Sequence, residues 1–142
     1  MDAYGPSWAD GDAEDALASF LLARLDEDEA AARAATQGGW RADGEDIVLV
    51  SDDPHWNGTC IANASGYDGD HIARHDPVRV LREVAAKRAI LRDYQDCAEA
   101  AEYAGEIMRA ARDAYARSLM HLSAAWIGHA DYRQEWAPGA AD

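Results

Sequence analysis

The chain has 142 residues, 49% of them hydrophobic, and a net charge of −14; this length suits one domain with its own core. The acidic excess argues against direct binding to nucleic acid or to an anionic membrane surface. No apolar stretch reaches the roughly 20 residues that span a bilayer, and the N-terminus lacks the features of a signal peptide, so we expect a cytoplasmic protein without a membrane partner.

The charge is unevenly distributed along the chain. Residues 1–53 carry 14 acidic and 3 basic side chains, hence −11, whereas residues 54–142 carry 13 and 10, hence −3. Against this trend, the stretch from Arg74 to Arg92 holds six basic side chains and two acidic ones. Such a basic helical stretch could hold nucleic acid, but we expect it to pair with the acidic first helix of the same or a neighbouring subunit, because the rest of the molecule repels phosphate groups.

The N-terminal part predicts a tail followed by one helix. Residues 1–13 mix Gly, Pro and Asp with single aromatic residues, which is typical of a flexible tail. A helix should begin near Asp12–Glu14 and end near Ala35, because apolar residues recur at helical spacing and the acidic residues at its start suit the helix dipole. The sequence "TQGGW" should then end the helix through its two glycines.

The middle of the chain changes to strand-like patterns. "DIVLVSDD" and "GTCIANAS" are short apolar runs between turn-forming residues. They predict a β-hairpin or three-stranded meander between Trp40 and Ser65 that must pack on helices, because so small a sheet is marginal alone. Trp40 and Trp56 should fill the space between sheet and helix. Cys60 and Cys97 form no metal-binding pair, and we expect two buried reduced thiols.

The second half of the chain predicts helices. A short helix, residues 70–75, should end before Asp76, because a residue that precedes proline avoids helical backbone angles. A second helix should begin at Pro77 with Asp76 as its N-cap. Apolar residues then recur at helical spacing as far as Ile127, with Gly105 as the single glycine. An unbroken helix of this length would be roughly 75 Å long, so it must fold back near Gly105 or be covered by a second subunit.

The expected fold class is therefore α+β, mostly α. A flexible tail (1–13) precedes a small α+β head (14–76), in which a β-hairpin or meander packs on the N-terminal helix. A long helix or helical hairpin (77–127) and a C-terminal cap and tail (128–142) follow. Because the apolar stripe after Pro77 is too long for the head to cover, we expect a homo-oligomer, in the simplest case a coiled-coil homodimer.

Two histidines, His71 and His75, lie four residues apart, which is the spacing of paired imidazole ligands on one helix face. The usual companions of a metal site are absent from the sequence, since it has no H-E-x-x-H motif and no adjacent cysteine pair. We expect the pair to form a structural polar cluster, and we expect no metal or other cofactor. A metal site at this pair and a protonation-sensitive contact are the alternatives.

The segment "HADYRQEW", residues 129–136, is dense in hydrogen-bonding and aromatic groups. The residue types of a general acid–base site are His129, Asp131, Arg133 and Glu135. The favoured interpretation is a terminal cap in which Tyr132 and Trp136 pack on the fold. The sequence has no Gly-rich phosphate loop and no G-x-S-x-G motif, so we predict no catalytic residues and favour a protein that is not an enzyme.

Three blocks of the chain, "FLLARLDEDEAAARAATQGGWRADG", "HIARHDPVRVLREVAAKRAIL" and "HADYRQEWAP", resemble a family of small uncharacterised proteins of high-GC actinobacteria and their phages. A looser similarity reaches accessory proteins of temperate phages. The resemblance implies no activity, because the family is a domain of unknown function. The positions that match its pattern are Trp40, His71, Arg74, His75, Asp76, Pro77, His129, Asp131 and Trp136. We take as candidate binding residues Trp40, His71, Arg74, His75, His129, Asp131 and Trp136.

These observations favour a phage-related binding or regulatory protein that acts through contacts with an unidentified protein partner. Two alternatives stay open. One is a small metal-dependent enzyme that uses His71 and His75, together with His129 and Asp131. The other is an acidic inhibitor that mimics DNA with its N-terminal half.

Overall fold

A computed structural model describes residues 11–55 and 58–139 of the chain, and for residues 11–13 it describes the backbone alone. The fold is α+β and mostly α, with a three-stranded sheet between an N-terminal helix and further helices, as the sequence predicts. Residues 1–10 of the predicted tail lie outside the described residues. So does Trp56, which we predicted to fill the space between sheet and helix. No helix in the described ranges combines the length and the apolar character needed to cross a membrane.

The helices and strands, in chain order, are α1 (Gly11–Ala34), β1 (Trp40–Asp43), β2 (Asp46–Leu49), β3 (Cys60–Asn63), α2 (Gly66–Arg74), α3 (Pro77–Ala101) and α4 (Glu106–Ser123). Short 3-10 turns follow at Ala124–Trp126 and Gln134–Trp136. The chain divides into two compact units. The sheet unit, residues 26–86, holds the three strands and α2. The helical unit, residues 1–25 and 87–142, holds α4 and the C-terminal turns.

The sheet is the predicted three-stranded meander, with antiparallel strands in the order β1-β2-β3. A two-residue turn joins β1 to β2, and its first residue, Gly44, has a φ of 62° in the left-handed region that favours glycine. Ile47 of β2 is fully buried, and α2 lies against β1 and β2. The sheet is therefore anchored through its central strand.

Polar side chains end α1. The helix stops at Ala34, one residue before the predicted end, and the Gln37 side-chain amide donates to the carbonyl oxygens of Ala32 and Ala35 at 2.8 and 2.7 Å. The Trp40 indole N–H donates to the Thr36 carbonyl at 3.0 Å. These donors satisfy carbonyls that a helix end leaves without partners. Gln37, rather than the following glycines, supplies the cap.

The boundary predicted at Asp76–Pro77 is confirmed, because α2 ends at Arg74 and α3 begins at Pro77. The Asp76 Oδ1 atom accepts the backbone N–H of Arg79 at 2.8 Å, which is the N-cap geometry of a helix start. Its Oδ2 atom accepts the backbone N–H of Trp40 at 3.1 Å. One carboxylate thus caps α3 and holds the first residue of β1.

The interval after Pro77 is not one long helix. α3 ends at Ala101, residues 102–105 form a turn in which Gly105 has a φ of 81°, and α4 begins at Glu106. A single exposed rod is therefore not formed. The length of the apolar stripe no longer supports the predicted dimer, which stays a prediction.

Contacts between α3 and α4 within the helical unit show that the two helices form a hairpin. The negative charge of Asp93 in α3 raises the pKa of the Tyr115 hydroxyl in α4, so these two side chains lie close together. The Lys87 ammonium of α3 lies 5.6 Å from the ring centroid of Trp126, just beyond α4. From Lys87 to Asp93 along α3, the partner residue changes from Trp126 back to Tyr115. The two helices therefore run antiparallel.

The helical unit has an apolar core with one polar cluster inside it. The largest fully buried apolar side chains of this core are Leu17, Leu21, Leu25, Leu91, Leu119 and Trp136. Within this core the Tyr94 hydroxyl donates to Glu14 Oε2 at 2.7 Å, and Arg112 Nε lies 4.0 Å from the same oxygen. Glu14 and Tyr94 are only 4% and 3% exposed. Burial raises the pKa of Glu14, although the Tyr94 hydrogen bond opposes the shift.

Replacing Asp76 by Ala should lower the free energy of unfolding by about 1–2 kcal/mol, because both the Arg79 cap and the Trp40 hydrogen bond are lost. Asp76→Asn is the matched control, since asparagine is also a good N-cap, and it should lose less. Urea unfolding at neutral pH gives both values. A neutral Asp76→Ala variant would contradict the account of this junction.

Replacing Glu14 by Gln should remove a pH dependence of stability. Because burial raises the folded-state pKa of Glu14 above its ordinary 4.5, the stability linked to this group is present below about pH 4.5 and declines as pH rises through the folded value. The variant, which keeps an oxygen for the Tyr94 hydroxyl, should therefore gain stability relative to the wild type between about pH 4.5 and about pH 7.

The measurement is urea unfolding of both proteins across that pH range. Glu45→Gln, at an exposed turn position, is the control and should not reproduce the trend. A difference between wild type and Glu14→Gln that stays constant with pH would contradict the expected linkage.

Candidate functional site

A cleft of about 360 Å³ opens in the sheet unit beside the junction of α2 and α3. Its lining residues are Trp40, Asp70, Ala73, Arg74, Asp76, Val78, Arg79 and Arg82. We call it the arginine cleft. Trp40 and Arg74 are candidate binding residues from the sequence, whereas Asp70, Arg79 and Arg82 are not.

Three elements position the side chains of the arginine cleft. Arg74 is the last residue of α2 and is exposed. Arg79 and Arg82 are three residues apart in the first turns of α3 and so share a face of that helix. Trp40 is held from two sides, by Asp76 at its backbone N–H and by a helix-end carbonyl at its indole. The cleft therefore follows from the turn that Asp76 fixes.

The charged side chains of the arginine cleft differ in how many hydrogen bonds and ion pairs they already form. Arg79 Nε donates to Glu83 at 2.7 Å, and its Nη1 donates to the Arg74 carbonyl at 3.3 Å. Both Asp76 oxygens accept backbone N–H groups. Among the described residues, none forms a hydrogen bond or ion pair with the guanidinium of Arg74 or Arg82. Two cations are thus available in the cleft, with Asp70 as the nearby anion.

Trp40 also lines a second cavity of the sheet unit, of about 280 Å³ and mostly apolar. Its lining residues are Asp28, Ala31, Ala32, Ala35, Trp40, His75, Pro77 and Val80. The two cavities have only Trp40 in common. Trp40 is half-buried, so it serves both as a packed residue and as an accessible aromatic surface.

His71 and His75 form a pair on the exposed side of α2. Their ring centroids are 4.5 Å apart at 45°, and Nδ1 of His75 lies 2.8 Å from the His71 carbonyl oxygen, to which it donates. Within residues 11–55 and 58–139, no three His, Cys, Asp or Glu side chains are grouped so as to hold a metal ion. Two imidazoles are fewer ligands than a zinc site uses.

The other candidate residues lie in the helical unit, where the C-terminal segment packs on α1. The Phe20 ring centroid is 5.6 Å from that of His129, 6.0 Å from Tyr132 and 5.2 Å from Trp136. Trp136 is 2% exposed and Tyr132 is 8% exposed. The predicted cap is confirmed for these two side chains, which are core residues.

Arg24 is a buried member of this cluster that sequence analysis did not identify. It is 7% exposed, its Nη1 atom donates to His129 Nδ1 at 2.8 Å and also contacts Nε2, and its guanidinium lies 5.2 Å from the Phe20 ring. The backbone N–H of Asp131 also donates to His129 Nδ1, at 3.0 Å. In the sequence, Arg24 stands four residues after Phe20 within an apolar stripe, and this position could have indicated that it is buried. These contacts give His129 a packing role.

The seven candidate residues therefore fall into two separate local groups. Trp40, Arg74 and His75, with His71 beside them, belong to the sheet unit. His129, Asp131 and Trp136 belong to the helical unit.

The prediction of two buried thiols is wrong for Cys60. This cysteine is exposed at β3, while Cys97 is half-buried, and both are free. A strand of four residues at the edge of a small sheet, with the burial pattern of β3, leaves most of its side chains in solvent.

A family of unknown function (DUF6221) matches residues 14–138 of the chain. No curated protein and no solved structure matches it. The matched segment contains every residue of the arginine cleft and of the C-terminal cluster.

The geometry at His71 and His75 predicts that the protein carries no stoichiometric transition metal. Elemental analysis of tag-free protein should give the same substoichiometric content for wild type and for His71→Gln/His75→Gln, because two imidazoles without further ligands bind metal weakly. His121→Gln, an exposed histidine on α4, is the control. Near-stoichiometric zinc, iron or manganese that is lost in the double variant alone would overturn this prediction.

Proposed function

The chain belongs to this family of unknown function, and we propose that it is a non-enzymatic binding protein that takes an acidic segment of a protein partner into the arginine cleft. The observation that carries the proposal is the pair of guanidinium groups, on Arg74 and Arg82, that no described residue engages. They flank a cleft that Trp40 also lines. Arginine and tryptophan are the residue types that dominate binding energy at protein interfaces.

The chemistry of the arginine cleft suits carboxylates. A guanidinium donates two parallel N–H groups to one carboxylate, which gives orientation as well as attraction. The Trp40 ring offers an apolar or aromatic side chain a flat surface beside those charges. Asp70 adds a negative charge at the edge and disfavours a ligand that is anionic over its whole length. A segment with separated carboxylates and an aromatic residue fits this pattern.

A protein partner is favoured over nucleic acid by the charge of the whole molecule. The net charge of −14 repels a polyanion at long range. Nucleic-acid affinity grows with the number of phosphates that are neutralised, and the cleft offers only two available cations. An acidic protein segment needs fewer contacts, and its side chains can reach the tryptophan.

The cellular setting is part of the proposal. The likeness of three sequence blocks to actinobacterial and phage proteins supports a regulatory role in such a cell or its phage. The free thiols of Cys60 and Cys97 accord with a reducing compartment, which supports a cytoplasmic location. The partner itself stays unidentified.

The cleft predicts selective binding of an acidic aromatic peptide. A fluorescein-labelled Glu-Glu-Tyr-Glu-Glu peptide should bind the full chain, and Arg74→Ala/Arg82→Ala should weaken binding about tenfold, because charge pairs at an open surface contribute up to about 1 kcal/mol each. Fluorescence anisotropy measures both affinities. A Gln-Gln-Tyr-Gln-Gln peptide should bind no better than the double variant binds the acidic one.

The control protein is Arg117→Ala, which removes an exposed arginine on α4 and should bind like wild type. Equal losses in the control and in the double variant would overturn the cleft assignment. Tighter binding of a short DNA duplex than of the peptide, weakened by salt, would overturn the protein partner.

A further inference from the structure

The turn between α3 and α4 presents an unusual surface to solvent. Tyr103 is 85% exposed and Ile107 is 83% exposed, and they are the most exposed large hydrophobic residues of the helical unit within the described ranges. Three exposed acidic residues are close to them in sequence. We define the acidic tip as Glu99, Glu102, Tyr103, Glu106 and Ile107, all of which are exposed.

Local stability does not explain the charges of the acidic tip. Glu99 lies in the last turn of α3 and Glu102 directly follows the helix, where the helix dipole disfavours negative charge and where the last turn has no basic residue. No described residue forms an ion pair with Glu99, Glu102 or Glu106. An exposed tyrosine and an exposed isoleucine also add no packing here. Exposed residues of this kind are typical of a surface that contacts a partner, rather than of residues that stabilise the fold.

The acidic tip and the arginine cleft have complementary chemistry. The tip presents carboxylates that form no ion pair with a described residue, close in sequence to the exposed Tyr103 ring, and the cleft presents Arg74 and Arg82 beside Trp40. The cleft, at about 360 Å³, has the size of a small side-chain pocket. Tyr103 can stack on Trp40 while the neighbouring glutamates pair with the arginines.

We propose that the partner of the arginine cleft is a second copy of this chain, whose acidic tip enters the cleft. The inference rests on the proposed function of the cleft and names its occupant. Every molecule carries both the acidic tip and the arginine cleft. The two surfaces can therefore attract each other locally, although whole copies of net charge −14 repel each other. The contact joins two different patches, and it therefore gives a reciprocal dimer or a head-to-tail chain.

Two charge-reversal variants test the acidic tip and the arginine cleft one at a time. Glu99→Lys/Glu102→Lys reverses the tip and suits the dipole at the end of α3. Arg74→Glu/Arg82→Glu reverses the cleft. The control, Glu45→Lys/Asp52→Lys, makes the same change in net charge as the tip variant at two exposed positions elsewhere. Tyr103→Ser tests the tip without any charge change. Circular dichroism confirms that each variant is folded.

Sedimentation equilibrium of the full chain at about 100 µM, where weak complexes become populated, is the test. Wild type and the control should have an average mass above the 15.4 kDa monomer. The tip variant, the cleft variant and Tyr103→Ser should each be monomeric. An equimolar mixture of tip and cleft variants should restore a one-to-one dimer, because one intact tip and one intact cleft remain.

A monomeric wild type would overturn the inference, and so would an associating wild type whose variants associate equally or whose mixed variants stay monomeric. The peptide experiment keeps this failure distinct from failure of the proposed function. If the acidic peptide binds at Arg74 and Arg82 while the wild type is monomeric, the cleft has another acidic partner. If the peptide does not bind there, the function proposed for the cleft fails as well.

Discussion

The hydrogen bonds of the Asp76 carboxylate are the constraint on which the sheet unit depends. One oxygen caps α3 at Arg79, and the other holds the backbone of Trp40 at the start of β1. A side chain between two helices thereby fixes a strand that is 36 residues away in sequence. Because Trp40 and the first turns of α3 form walls of the arginine cleft, the geometry of the candidate site follows from this one residue.

The helical unit uses buried polar groups in a different way. Glu14 and Tyr94 join α1 to α3 inside an apolar core, and Arg24 ties α1 to the C-terminal segment through His129. Buried polar groups of this kind are costly unless hydrogen-bond partners compensate for the lost solvation. His129 and Trp136, two of the candidate residues from the sequence, therefore contribute packing contacts in this core.

The uneven distribution of charge supports the proposed binding of an acidic segment. An acidic molecule with two cations that no described residue engages, in one small cleft, can attract an acidic segment locally although it repels polyanions at long range. The acidic tip carries the opposite pattern, since its carboxylates form no ion pair with a described residue and lie beside exposed Tyr103 and Ile107. The charges of the acidic tip have no reason in the local stability of α3, and each surface supplies the charge that the other lacks. The proposed contact between two copies of the chain would account for both surfaces with one kind of interaction.

Local sequence rules determined the elements of this protein. The start of α3 at Asp76–Pro77, the extent of α1 and the three-stranded meander follow from capping, periodicity and turn residues, which act over a few positions. Only the tertiary structure decided that the Asp76 carboxylate also holds Trp40, that Arg24 is buried against His129, and that Arg82 joins Arg74 in a cleft. The physical reason is that these contacts join residues distant in sequence or on different elements, whose approach depends on packing that no local pattern encodes.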